Sequence, residues 1–489
     1  MRLLAILLAS SPASLLAQVT VGVDPWGWEF NEIDISSMRG TNYNSYAMTV
    51  YTNRQNEEAL YVGCNNENGC ELWRSTDGRS FERLADKGLL EWGGNRHHTV
   101  ITSFVEYKRD LYAGTWATGD DRCKIFRSTD GFRFELFMTN GFARHGAPSP
   151  NGNRAATYMI VHNGKLYVGV YNPKYGPQLW RYDGTSWRML VSKGNFGREA
   201  GTNNTDVTTL VVYKGQLHLS TENIGSGSQV WRMSAASDFI FDRLNVSGFG
   251  FGLFTANSGL FVSGDELVAN TWDFFLGCRV HRHRAGKTWV SEVPAGFGDR
   301  NSIVTTLYQF RETKPTIAMV GAYNPVSGFD LWSRFPGGEW VRVARPSDLG
   351  LSRSYTFVGA TINWKRDMYM AVGSYFHHDP AARLRLYRAS ARPRVEISYT
   401  ANRLLRVSIG HPKGWAQALK LDRISLAADT PASGWTGNLF YHLLPTFRLP
   451  VPSTPTKITL ELPGITVPPT WRIRVRVTSY DGLSAEAEK

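Results

Sequence analysis

A short apolar strand returns seven times along this chain, starting near Leu60, Leu111, Leu166, Leu217, Leu267, Ala318 and Met370. Successive starts lie 50 to 55 residues apart. A period of that length marks a repeat architecture, in which each unit buries its apolar faces against its neighbours. Residues 60–84, LYVGCNNENGCELWRSTDGRSFERL, show the plan: strand, polar loop, return strand, tight turn, last strand. It recurs as LYAGTWATGDDRCKIFRSTDGFRFELF from 111 and as LYVGVYNPKYGPQLWRYDGTSWRML from 166. In the fourth repeat the strands separate as VTTLVVY (207–213), QLHLSTE (216–222), SQVWRM (228–233) and FIFDRL (239–244). Their alternation suits sheets covered on both faces, and no stretch carries ten residues at helical spacing.

Four short strands per repeat predict an all-β chain whose residues 26–391 form a seven-bladed β-propeller. The seventh repeat lacks a closing F/W-x-x-apolar strand, whereas FNEI (30–33) supplies one at the other end. The N-terminal segment is therefore expected to complete blade seven, which removes two exposed sheet edges. The turn after each third strand adds a family likeness. Ser75, Asp77 and Phe81, and again Ser128, Asp130 and Phe134, follow the order of the Asp-box turn of sialidases, sortilins and related propellers. Repeat three keeps only Asp183 and Trp187, so the repeats are degenerate. The longer pattern, GFGDRN (296–301) with LYVGVYN…LWR, resembles secreted bacterial and archaeal propeller repeats. That resemblance implies the fold. It does not imply an activity, because Asp-box turns hold hairpins through side chain to backbone bonds.

Beyond ASARPR the rhythm changes to period-two segments, VEISYT, LLRVSIG, TKITLEL and WRIRVRVTSYDG, separated by Pro-rich turns. Residues 395–489 resemble an immunoglobulin- or fibronectin-like β-sandwich, without the Cys…Trp…Cys core of antibody domains. MRLLAILLASSPASLLAQ reads as a secretory signal peptide over 1–17, too short and too broken to span a bilayer. A secreted chain, extracellular or periplasmic and without a transmembrane segment once mature, is expected. The formal net charge is +12, and residues 391–489 hold 13 basic against 7 acidic residues. Export argues against nucleic acid, so the charge suits an acidic polysaccharide or an anionic envelope. Four cysteines in an exported chain invite a disulfide. Cys64 and Cys70 flank one hairpin loop and are expected to pair; Cys123 and Cys278 sit in distant repeats and are expected to be free.

The longest loops join strand two to strand three and one repeat to the next, and both kinds emerge on one face of a propeller. Function is expected there. Two rings of aligned positions reach that face. Before strand one stand Asn42, His98, Asn153, Asn204, Phe254, Asn301 and Tyr355. After strand two stand Asn65, Trp116, Tyr171, Glu222, Trp272, Tyr323 and Tyr375. Amides in the first ring could bond sugar hydroxyls, and flat rings in the second could stack on sugars. The competing readings are backbone-capping asparagines and aromatic residues filling the wedge between blades.

The pattern breaks where repeats seven, one and two meet. His97 and His98 replace amides there, His377, His378 and Asp379 fill a loop, and Arg39, Tyr43, Arg96, Arg353 and Tyr355 enter. This set resembles the toolkit of polysaccharide lyases, several of which are propellers. Arg96 would quiet a uronate carboxylate, and His98, His377 or Tyr355 would take the α-proton. A glycoside hydrolase would need two carboxylates at a set separation, and spacing selects none among Glu67, Asp120, Asp121, Glu222, Asp273 and Asp379. No metal is expected, because neighbouring residues such as His377 and His378 point apart. No nucleotide cofactor is expected, because no phosphate-binding glycine motif stands between a strand and a helix. The leading expectation is a binding protein for a glycan or envelope component. An enzyme acting on acidic polysaccharide and an extracellular platform for an envelope protein are the alternatives.

Overall fold

The structure is a computed structural model. It describes residues 19–22, 28–146, 152–196, 203–251, 255–309, 318–334, 340–365, 367–375 and 380–391, and the C-terminal strands named below. The predicted signal peptide, Phe254 and the loop holding His377, His378 and Asp379 lie outside the described residues.

The chain from residue 28 to 391 forms a propeller-like ring of antiparallel sheets. Unit 1 runs Asn44–Thr52, Glu58–Asn65, Glu71–Ser75 and Glu82–Ala85, each strand pairing with the next. The same meander recurs with first strands His98–Tyr107, Ala155–His162, Asn204–Tyr213, Thr255–Ser263, Val304–Gln309 and Phe357–Trp364, here numbered units 2 to 7. These first strands touch in cyclic order, and the last touches the first.

The expectation of seven separate sheets is corrected to five. Units 2 and 3 share one sheet through the pair Ala155 and Trp116, and units 4 and 5 share another through Asn257 and Glu222. In both joins the end of a second strand reaches the next unit's first strand and pairs with it.

Trp28–Ile33 pairs antiparallel with Arg385–Ala391, with Phe30 opposite Ala389 and Ile33 opposite Leu386. The N-terminal segment therefore supplies the fourth strand of unit 7. Glu32 on that strand accepts from Arg39 at 2.9 Å and from the Arg385 guanidinium.

Alternation buries both faces of each sheet. In unit 1, Leu60, Val62, Cys64 and Trp73 pack on Trp364, Tyr369 and Leu386 of unit 7. Tyr61, Cys70 and Leu72 face the other way, onto Ile101, Leu111 and Phe126 of unit 2. Each fully buried side chain of this size contributes about 1.5–3 kcal/mol. The glycine of the LYVG pattern makes the approach possible: a Cβ at Gly63 would lie 2.6 Å from that of Ile101.

The same alternation explains why the expected Cys64–Cys70 disulfide is absent. Cys64 lies opposite Glu71, so Cys70, one residue earlier, points through the opposite face of the sheet. All four cysteines are buried free thiols.

The turns after the third strands of units 1 and 2 follow one hydrogen-bond scheme. Asp77 accepts from the N–H groups of Arg79 and Ser80 at 2.7 and 2.8 Å, and Ser75 Oγ accepts from Gly78 N–H at 2.8 Å. Those donors hold the Asp77 carboxyl down at about 2. Asp130 repeats the scheme with Phe132 and Arg133. Tyr61 donates to the carbonyl of Gly131 at 2.9 Å, tying this turn to the preceding unit.

The C-terminal strands form two four-stranded sheets. One orders Val19–Gly22, Lys457–Thr466, Leu404–Gly410 and Arg394–Tyr399; the other orders Gly434–Leu439, Leu421–Thr430, Arg472–Ser479 and Ser484–Glu488. Among the described residues no helix is long and apolar enough to cross a membrane.

Candidate functional site

Backbone bonds across the seams fix where side chains gather. In units 1, 2, 5, 6 and 7 the N–H two residues before the third strand's central apolar residue donates to a carbonyl of the next unit. Cys70 bonds His98 at 2.8 Å, Cys123 bonds Asn153 at 3.0 Å, and Cys278 bonds Ser302 at 2.8 Å. Phe329 bonds Tyr355 at 3.0 Å, and Leu384 bonds Asn42 at 3.1 Å, which closes the ring. This ladder corrects the sequence register in repeat six. Ser302, not Asn301, holds the first-ring position. Asn301 is exposed and donates to Asp299, whose carboxylate also takes Asn324 at 2.8 Å.

The other first-ring amides are buried and used inside the scaffold. Asn153 Nδ2 donates to the Gly141 carbonyl and to Gln178 at 2.8 and 2.7 Å, while Oδ1 accepts from Asn172 at 2.8 Å. Asn42 joins Met38, Glu71 and Asn66 in the same way, and Asn204 joins Gln229, Thr221 and Asn223. A buried amide with its donors and acceptor already engaged has nothing to offer a sugar hydroxyl. Of the four asparagines expected to bind ligand, Asn42, Asn153 and Asn204 thus serve the scaffold, and Asn301 stands exposed beside Asp299.

The second ring is different. Trp116 is 37% exposed and lies against Tyr171 of the next unit, ring centroids 5.1 Å apart. Tyr375 gathers Phe357 at 4.9 Å, Tyr323 at 5.2 Å and Trp272 at 6.1 Å, and Tyr46 packs on Phe357 at 5.5 Å. Tyr375 arrives here from two residues past the ring position, which Gly373 occupies: Thr356 N–H donates to Gly373 as Arg154 does to Tyr171. Six units thus give aromatic side chains to one rim.

Unit 4 gives carboxylates instead. Glu222 and Asp206 sit opposite each other across a hairpin. Thr205 Oγ1 donates to Glu222 and Thr157 Oγ1, from unit 3, donates to Asp206, both at 2.7 Å. Burial, reinforced by the charge of Glu222, pushes the Asp206 carboxyl up to about 8. Burial raises the phenols of Tyr171 and Tyr375, and the Glu222 charge adds to both, so Glu222 faces unit 3 and unit 7 alike. The rim therefore joins Glu222 and apolar ring faces, with the buried Asp206 carboxyl, its proton held more tightly than usual, behind them. Among the described residues no group of three or more His, Cys, Asp and Glu could hold a metal ion.

In the histidine sector, His98 and Tyr355 belong to the packed scaffold. His98 is fully buried; its Nδ1 lies 2.9 Å from Thr115 Oγ1 and its Nε2 has no partner. Burial, then the charge of Lys124, pushes its pKa down to about 4. Tyr355 is 3% exposed in an apolar cluster, and its hydroxyl accepts from Arg385 Nε at 3.0 Å. Arg96 is exposed, and His377 lies outside the described residues. Among the described residues no bond joins His98 to Tyr355 or Arg96. Asp206, Thr157, Tyr46 and Phe357 escaped the sequence reading.

No family profile matches the chain, and no curated protein does. Among solved structures, one from a study of two prolyl endopeptidases is similar over 76% of this chain and 55% of its own, at 10% identity and a TM-score of 0.42. A thermostable family-43 glycoside hydrolase is similar over 52% of this chain and 95% of its own, at 12% identity and a TM-score of 0.31. The chain spans about half the length of the first. Likenesses this distant carry no statement of activity.

Proposed function

We propose that this chain is an exported seven-bladed propeller that binds a glycan at its axial rim, with the C-terminal sheets as an immunoglobulin- or fibronectin-like spacer. The seven meanders, each with its own first strand in the ring, support the blade count. The observation that carries the binding reading is the rim itself: exposed Trp116 on Tyr171, the Trp272, Tyr323 and Tyr375 cluster, and Glu222 between them. Ring faces cover the apolar side of a sugar while carboxyl groups bond its hydroxyls. The test is a glycan array with the intact protein. Trp116→Ala and Glu222→Gln are expected to weaken the hits roughly tenfold or more, the cost of one or two good contacts, without a change in melting. Silence across the array, with tight binding to a purified envelope protein, would favour the interaction-platform reading instead.

One observation favours hydrolysis as a second reading. Asp206 holds its proton at neutral pH while Glu222 beside it is the accepting group, an arrangement suited to acid and base roles at a glycosidic bond. Release of reducing ends from a bound glycan, lost in both Asp206→Asn and Glu222→Gln, is the expected outcome on that reading. The lyase chemistry expected of His98, Tyr355, Arg96 and His377 draws no support from the buried places of His98 and Tyr355.

A further inference from the structure

The loops after the second strands of units 4, 5 and 6 carry apolar tips into solvent. Ile224 is 66% exposed, Phe274 47%, Phe275 70% and Val326 55%. The tips are held, not loose. Asn223 accepts from Ser226 N–H at 2.8 Å, Asp273 from Leu276 N–H at 2.7 Å, and Asn324 from Val326 N–H at 2.9 Å. Each tip follows its rim residue, Glu222, Trp272 or Tyr323, within four positions, so all three crown the same face on consecutive units.

Two arginines sit at the feet of these loops. The Cα of Arg300 lies 3.1 Å from where a Cβ of Gly277 would be, at the foot of the Phe275 loop. The carbonyl of Arg353 lies 3.2 Å from the same point at Gly328, at the foot of the Val326 loop. Both arginines are exposed, and neither forms an ion pair among the described residues. The nearby acids are engaged: Asp273 with Arg279 at 2.9 Å, Asp299 with Asn324 at 2.8 Å. On the opposite face, by contrast, exposed Phe132 and Phe239 are capped by the guanidiniums of Arg74 and Arg188 at 4.1 and 4.5 Å.

We propose that this crown docks on an anionic lipid surface, with Phe274, Phe275, Ile224 and Val326 entering the headgroup boundary and Arg300 and Arg353 meeting phosphates. A protein partner would need one continuous complementary patch. Separate apolar points on loops with exposed arginines at their feet suit a soft surface that each point enters alone, with charge supplying the rest. This proposal does not rest on glycan binding, which the tip residues leave untouched.

The experiment is sedimentation of the full chain with phosphatidylcholine vesicles, with and without phosphatidylglycerol. Binding is expected only with the anionic lipid and is expected to fall with salt. Phe274→Ser with Phe275→Ser, and separately Arg300→Gln with Arg353→Gln, are each expected to weaken it roughly tenfold. Phe239→Ser, on the other face, is expected to change nothing. A Phe275→Cys variant, labelled with an environment-sensitive dye, should report a drier setting on vesicles; the native thiols are buried and stay unlabelled. Binding independent of phosphatidylglycerol, no binding at all, binding indifferent to the tip variants, or equal loss in Phe239→Ser would each overturn the proposal.

Discussion

Asp206 shows how strongly one residue's surroundings can alter its chemistry. Its carboxyl ordinarily titrates at 3.8 and here titrates at about 8. Between those values only the unfolded chain releases the proton. Stability therefore falls as pH rises from about 4 to about 8 and is insensitive to this group outside that window. Asp206→Asn keeps an acceptor for Thr157 and removes the titration. It is expected to match the parent near pH 4 and exceed it by a few kcal/mol near pH 8, since each tenfold change in proton affinity is worth about 1.4 kcal/mol. Denaturant titrations at the two pH values check this, and equal differences at both would rule it out. The thiols give a second residue-scale prediction. Burial pushes Cys123 up to about 12 and raises the other three, so all four should ignore a thiol reagent until the chain unfolds. A reductant should leave melting unchanged. Glu222 was legible in the sequence and Asp206 was not. A bulge between Asn204 and Asp206 sets Asp206 opposite Glu222, where unbroken pairing from Asn204 and Asn223 would have set Thr205.

At the scale of elements, the seam between units 7 and 1 tolerates no side chain. A Cβ at Gly359 would lie 2.1 Å from the Ser45 carbonyl oxygen, and one at Gly373 would lie 1.9 Å from that of Tyr43. Gly359→Ala is expected to lose about 1–3 kcal/mol or more, the usual cost of forcing atoms into a packed seam. Gly164→Ala meets nothing within 4 Å, and its cost should come only from a φ of 70°. Chemical melts of the two variants distinguish these costs. Strand order within each repeat was readable because turn residues punctuate it. Register was less so. The Val372–Gly373 dipeptide mimics the Val62–Gly63 of repeat one, which draws the alignment two residues late. Backbone pairing instead sets Met370 opposite Tyr387 as Val62 is set opposite Trp73. A dipeptide is local information, whereas register is decided by a partner strand.

For the whole molecule, the missing last strand of repeat seven foretold the closing role of Trp28–Ile33, since an open ring would leave two bare edges. The joining of neighbouring units into shared sheets was not foretold, because each join rests on a single pair of residues at strand ends. A chain beginning at Asp34 is expected to lose the single sharp melting transition and to form larger species by light scattering. Retention of a monomeric, cooperatively melting protein would argue that the closing strand is dispensable. The same strand also orders events in time. Trp28–Ile33 is made before Arg385–Ala391, with which it pairs and which comes more than three hundred residues later. Val19–Gly22 waits longer still, for Lys457–Thr466. These strands must therefore stay unpaired while the segments between them and their partners are made, exposed to any chaperone or stray sheet edge, until those partners arrive to receive them.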